Sequence, residues 1–217
     1  MPIVSQKHRL VYYPVPKVAC TSVKHLMYFL NHGKWFDHPV NAKGRKLNIH
    51  DVMNPAEPFD KSAFKRFSPH TSFVVVRDPL KRFLSAYSNR VIFHGDLAPW
   101  RIKKGTLTLT QKPNPSLEEF IDHLEDYQAD ARAIERHTAP ISKFLGDDLS
   151  RFDKVFPIEA LDDAAAFLSD HTGLKLEMPH KQTGGPKMSL DDLSEKHKKK
   201  LRDVYASDYE LLKDFYS

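Results

Sequence analysis

Short apolar runs alternate with helix-spaced apolar residues along this chain. Leu10-Val11-Tyr12-Tyr13 predicts a first strand over 9–13, and Leu26, Phe29 and Leu30, three and one apart, predict a helix over 21–32. Phe73-Val74-Val75-Val76 is continuously apolar and β-branched, the pattern of a buried strand over 72–76. A helix is expected from about 79 to 93, with Phe83, Ala86 and Tyr87 on its buried stripe. Asp78 suits its N-cap and Pro79 its first turn. Ser116-Leu117-Glu118-Glu119 is a capping box opening a helix to about 126, followed by helical stretches near 128–136 and 140–145. A third strand is expected at 154–158 and a helix over 161–171, closed by Gly173. One or two helices, about 190–206 and 208–215, end the chain. Residues 33–70 and 94–115 read as irregular, the second with a short extended piece at 107–110. Strands alternating with helices imply an α/β protein, a parallel sheet with helices on both faces.

Two strand–turn–helix junctions carry the chemistry. Pro16-Lys17-Val18-Ala19-Cys20-Thr21-Ser22-Val23-Lys24 lies between the first strand and its helix. Backbone N–H groups, a helix N-terminus, a lysine and two hydroxyls there converge on one anion. It is no Walker A loop, because the glycines are missing and the lysine precedes the turn. The second junction, Arg77-Asp78-Pro79-Leu80-Lys81-Arg82-Phe83-Leu84-Ser85-Ala86-Tyr87, places Arg77 at a strand end, where it can fork onto a phosphate. Ser85 can donate to the same group. Asp78, Arg82 and Ser85 share a helix face, so Arg82 could pair with Asp78 or reach a phosphate.

Together these segments resemble the sulfotransferases that use 3′-phosphoadenosine 5′-phosphosulfate (PAPS), most closely the carbohydrate sulfotransferases of the Golgi type and their soluble bacterial relatives. In that family P-K-x-x-x-T-S holds the 5′-phosphosulfate and R-D-P-x-x-R-x-x-S-x-Y the 3′-phosphate. Both patterns stand intact at 16–22 and 77–87. The likeness runs more faintly through Phe152-Asp153-Lys154-Val155-Phe156-Pro157 and Tyr205-Ala206-Ser207-Asp208-Tyr209. It implies one sulfotransferase domain over 1–217 with a P-loop-NTPase-like sheet. It implies PAPS as co-substrate, held by Lys17, Ala19, Cys20, Thr21, Ser22, Arg77 and Ser85. Lys17 would meet the bridging oxygen of the 5′-phosphate and stabilise the leaving group; Thr21 and Ser22 would hold nonbridging oxygens. Lys181-Gln182-Thr183-Gly184-Gly185-Pro186-Lys187 is a third expected cofactor loop, through Lys181 and Thr183, with an ordinary connecting loop as the alternative.

Composition narrows the setting. The chain has 217 residues, 28% charged and 41% hydrophobic, and a net charge of +5. The charge fits an anionic co-substrate and an acidic glycan; it does not by itself argue for nucleic acid. No apolar run is long enough for a transmembrane helix, and no signal peptide is evident. If complete, the chain is expected to be cytoplasmic and bacterial; a Golgi lumenal catalytic domain without its anchor is the alternative. The one cysteine, Cys20, lies where a positive field could lower its pKa, but the expected reading is a small residue filling a tight turn. Oligomeric state is not legible.

Sulfuryl transfer, like phosphoryl transfer, depends on positioning and electrostatics, and cations with N–H donors meet that need without a metal. The histidines form no compact metal motif. A base must take the acceptor proton. His50, in Leu47-Asn48-Ile49-His50-Asp51, is the expected base, oriented by Asp51 or another acid; His38, His94 and His137 are alternatives. The acceptor is expected to be a carbohydrate hydroxyl. Arg90, Arg101, Lys103 and Lys104 could face an acidic sugar and Trp35 or Trp100 stack on one, while a peptide tyrosine or small alcohol stays open. The rival classes are a nucleotide kinase or ATPase with an atypical phosphate loop, and a non-catalytic anion- or glycan-binding module.

Overall fold

A computed structural model describes residues 2–179 and 184–217. Its strands are β1 (Ile3–Ser5), β2 (Leu10–Tyr12), β3 (Thr71–Val76) and β4 (Lys154–Pro157). They form one sheet in that order, β1 antiparallel to β2 and the other neighbours parallel. The helices are, in chain order, α1 (Cys20–His32), α2 (Ile49–Val52), α3 (Lys61–Arg66), α4 (Pro79–Ala86), α5 (Pro99–Lys103), α6 (Leu117–Asp122), α7 (Leu124–Asp130), α8 (Arg132–Thr138), α9 (Ser142–Leu145), α10 (Leu161–Thr172), α11 (Glu195–Val204) and α12 (Ala206–Leu211). The architecture is the expected mixed α/β one, a mostly parallel sheet flanked by helices. Among the described residues no helix is long and apolar enough to cross a membrane.

The described residues gather into two units, 2–77 with 141–179, and 78–140 with 184–217. The first unit holds the sheet. Every residue of β2 is buried, and β3 is buried from Ser72 onward, as parallel strands covered on both faces must be. Asp153 ties β3 to the start of β4. Its carboxylate accepts from the Ser72 backbone N–H and hydroxyl, each at 2.7 Å. Tyr13, Phe59, Phe64 and Phe152 form an aromatic cluster in this unit, with ring centroids 5.2–6.5 Å apart. Helix α10 ends where expected, at Gly173, whose φ of 70° is left-handed and favours glycine.

The second unit is helical. Leu80, Phe83, Leu84, Phe120, Ile134 and Tyr205 lie in its apolar core. Asp78 caps α4 by accepting from the Lys81 N–H at 2.8 Å, and Pro79 follows it, as the sequence predicts. Beyond Ala86 the helix continues as a π-turn, Tyr87–Phe93. The capping box at Ser116 forms with Glu119. Its helix stops at Asp122, however, and restarts as α7, short of the single helix expected to about 126.

Other expectations change. β1 was not expected, because three residues carry no periodic signal. The stretch 33–70 contains α2, α3 and an isolated bridge between Val40 and Lys46. Residues 107–110 form no strand; the loop carries α5 instead.

Arg82 departs from both of its expected roles. It is fully buried, and its guanidinium donates to the carbonyls of His137 (3.3 Å) and Ala139. The intervening carbonyl, Thr138, accepts from the Tyr205 hydroxyl at 2.6 Å. Three consecutive carbonyls at the C-terminal end of α8 thus accept from α4 and the C-terminal helices. Arg82→Leu would remove the donor to two of them in an apolar setting. It should destabilise the protein by roughly 3 kcal/mol in urea denaturation. A loss of nucleotide affinity at unchanged stability would instead return Arg82 to a phosphate role.

Candidate anion-binding site

The turn after β2 is built from residues that do not favour its geometry. Lys17 and Ala19 adopt left-handed φ of 68° and 62°. This costs L-residues about 1–2 kcal/mol each, and such strain persists where the surroundings enforce it. The reversal delivers the chain directly into α1. Ala19 stands at the helix N-cap without a side-chain cap, and the first turn holds no acidic residue. The first N–H groups of a 13-residue helix therefore lack the side-chain acceptor that usually satisfies them, and the positive end of its dipole is uncompensated. That donor set fits a phosphate group.

Basic and hydroxyl side chains gather at the same turn. Lys17 is only 8% exposed, and its carbonyl accepts from Arg77 Nη1 at 3.2 Å. Tyr12, the last residue of β2, pairs in parallel with Phe73, and β3 runs on to Val76 beside the turn, which is why Arg77, just past β3, reaches the loop. Ser22 is buried and Thr21 half-buried in the first turn of α1. Cys20 behaves as the turn-filling residue. Burial pushes its thiol pKa up, against the opposing pull of Lys24 and Lys17, so the expected lowering does not occur.

His50 joins this cluster through α2. Its Nε2 lies 2.9 Å from Thr21 Oγ1 and its Nδ1 3.2 Å from Lys24 Nζ. Asp51 does not orient the ring by hydrogen bonding; its carboxylate accepts from the Asn48 N–H (2.8 Å) and pairs with Arg45 (3.1 Å). The residue is exposed by surface area, with its Lys24 contact part-buried and its Thr21 contact at the surface. Burial first, and then the nearby Lys24 charge, lower the imidazole pKa to about 4. Lys24 is 1% exposed and was not singled out from sequence. Its spacing of three from Thr21, on one helix face, was the available signal.

The remaining expected site residues belong to both units. Ser85 is half-buried on α4 in the second unit. Lys181 and Thr183 lie outside the described residues. Of that loop, Gly184 and Gly185 have left-handed φ, and a Cβ on Gly184 would meet the Phe93 ring at 2.6 Å. The Pro186 carbonyl accepts from the Ser88 hydroxyl at 2.6 Å. Arg90 and Arg101 both pair with the buried Asp96, a structural use that argues against the sugar contact. Trp35 stacks on Phe29. Trp100 stays half exposed, with Arg101 and Lys104 over its ring. His38 Nδ1 lies 3.1 Å from the Leu47 carbonyl, and His137 Nδ1 lies 2.7 Å from the Ala133 carbonyl. Among the described residues no group of three or more His, Cys, Asp or Glu side chains is placed to hold a metal ion.

A four-stranded α/β sheet with a phosphate-type turn between β2 and α1 defines a class of proteins that bind anionic groups at strand ends. Within that class the chain belongs to the Sulfotransferase family, whose family model matches residues 2–217. It is 23% identical to carbohydrate sulfotransferase 11 of Mus musculus, over 95% of this chain and 65% of that protein. With carbohydrate sulfotransferase 9 of Homo sapiens it shares 24% identity, over 98% of this chain and 50% of that one. With carbohydrate sulfotransferase 14 of Danio rerio the figures are 24%, 83% and 51%. The chain thus spans half to two-thirds of the length of these relatives. No solved structure is significantly similar to it.

The His50 pKa yields a signed expectation. The folded-state value lies below the ordinary 6.5, so between the two the unfolded chain binds more protons. This contribution to stability is intact above pH 6.5 and is lost as pH falls toward about 4. The His50 ring resonances should therefore titrate near pH 4 in an NMR series; a midpoint near 6.5 would contradict the environment described.

Proposed function

We propose that the protein is a PAPS-dependent sulfotransferase that moves a sulfuryl group onto a carbohydrate hydroxyl. The observation that carries this reading is the strained turn that feeds an uncapped helix start with Lys17, Thr21 and Ser22 beside it and Arg77 on the Lys17 carbonyl. Family membership and the named relatives supply the sulfuryl group and the carbohydrate.

In the reaction the acceptor oxygen attacks sulfur. The bond from sulfur to the bridging phosphate oxygen breaks, 3′-phosphoadenosine 5′-phosphate (PAP) leaves, and the acceptor hydroxyl loses its proton. Negative charge grows on the bridging oxygen as the bond breaks. Lys17, held close to the turn by its buried position, is the cation for that charge. The helix N–H groups, Thr21 and Ser22 hold the nonbridging oxygens. Arg77 would fork onto a second phosphate. The part of Ser85 in holding the 3′-phosphate rests on its motif alone.

Two expectations test this reading. PAP should raise the melting temperature more than 5′-AMP or ATP with Mg²⁺ at equal concentration, and Arg77→Ala should remove most of the difference. Equal stabilisation by PAP and AMP would remove the 3′-phosphate assignment, and a preference for ATP would favour a kinase. Lys17→Ala should lower kcat about 10²–10³-fold, the usual cost of losing one donor to a charge that develops in the transition state. Near-normal turnover in that variant would place the leaving-group cation elsewhere.

A further inference from the structure

We propose that Lys24 and His50 form a relay of fixed tautomer that aims the Thr21 hydroxyl at the bound 5′-anion, so that His50 is a positioning residue for the donor and not the group that takes the acceptor proton. The inference rests on the sulfotransferase reading above and gives His50 a different task from the one its place in the sequence suggests.

The argument starts from Lys24. An ammonium has three donors and no acceptor, so at 3.2 Å from Lys24 Nζ the Nδ1 of His50 is the acceptor. A neutral imidazole carries one N–H, which then sits on Nε2. Nε2 is 2.9 Å from Thr21 Oγ1, so the ring donates and the hydroxyl oxygen accepts. The hydroxyl hydrogen is thereby directed away from the ring. Thr21 is the second residue of α1, at the end of the helix that favours an anion. An anionic oxygen needs donors, and the relay keeps Thr21 in its donor role. Bonds aligned in one sense, from the buried lysine charge outward, polarise one another.

A base needs a free lone pair on the nitrogen that meets the acceptor hydroxyl. Here the lone pair of the neutral ring faces Lys24, and the other nitrogen is turned to Thr21. The charged and titratable groups around the ring reinforce this state. Lys24 and His25 from α1 and Lys17 from the loop oppose a charged imidazole, and only Asp51, on the turn that carries His50, favours it. Protonated, the ring would direct a second N–H at the Lys24 ammonium, donor against donor. At neutral pH the imidazole is therefore neutral, with one defined tautomer.

Two measurements test the relay. The first reads the ligand-free wild-type protein. Long-range ¹H–¹⁵N correlations, with His50 assigned by comparison with His50→Gln, should place the ring proton on Nε2 at neutral pH. Lys24→Met should disturb that preference, because the donor that fixes Nδ1 is gone. The second reads PAP affinity by calorimetry together with turnover. His50→Ala should weaken PAP binding by about tenfold or more, the scale of a hydrogen bond that serves a charged group. His50→Gln carries an amide N–H close to the Nε2 position and has no basic nitrogen, so it should recover most of the affinity and turnover that His50→Ala loses. Equal and large losses of turnover in both variants, with PAP affinity unchanged, would make His50 the base and overturn the relay. So would a proton on Nδ1 in a wild-type protein that binds PAP. Wild-type protein indifferent to PAP would overturn the sulfotransferase reading and the relay together.

Discussion

The turn between β2 and α1 is the constraint on which the site depends. Two non-glycine residues, Lys17 and Ala19, are held left-handed against their intrinsic preference. The hydrogen bond from Arg77 to the Lys17 carbonyl is one of the forces that hold them there. It exists because β2 and β3 run parallel and β3 continues from the Tyr12–Phe73 pair to Val76, past the end of β2 and alongside the turn. The same reversal leaves the start of α1 without a side-chain cap, so backbone strain and an uncapped helix start arise together. A Gly-rich loop would reach such a shape without the strain. This chain reaches it with a lysine and an alanine.

One sequence motif is put to two uses. In Arg77-Asp78-Pro79-Leu80-Lys81-Arg82 the first arginine ties to the turn after β2 and the second to the core of the helical unit. The burial of Arg82 is tolerable because its guanidinium meets backbone carbonyls, which a helix C-terminus leaves over. Arg90 and Arg101 are likewise tied to Asp96. Much of the positive charge close to α4 is therefore structural. Net charge alone would overstate what is free to meet an anionic ligand.

β2, β3, β4 and the two strand–turn–helix junctions were legible because their signals are local: continuous apolar runs, Asp-Pro at a helix start, Pro-Lys and Thr-Ser around a turn. What could not be read depends on distant pairings. β1 has three residues and exists because β2 offers an edge. The helices within 33–70 are short and set by side-chain caps such as Asn48 and Asp60. His50 was singled out for lying in sequence between the two junctions, and its neighbour Asp51 was a plausible orienting group. The structure gives that carboxylate to Asn48 and Arg45 and gives the ring to Lys24 and Thr21. A lysine 26 residues away along the chain carries no sequence signal as a histidine partner.

The central claim is that this turn presents a sulfuryl donor to a sugar. The most direct measurement is transfer of radiolabelled sulfate from PAPS into a panel of unsulfated and partly sulfated glycans, with heat-inactivated protein as the control. The account predicts label in at least one carbohydrate, with transfer inhibited by added PAP. Tight binding of PAPS with no label in any glycan, peptide or simple alcohol would contradict it and leave a nucleotide-binding protein in its place.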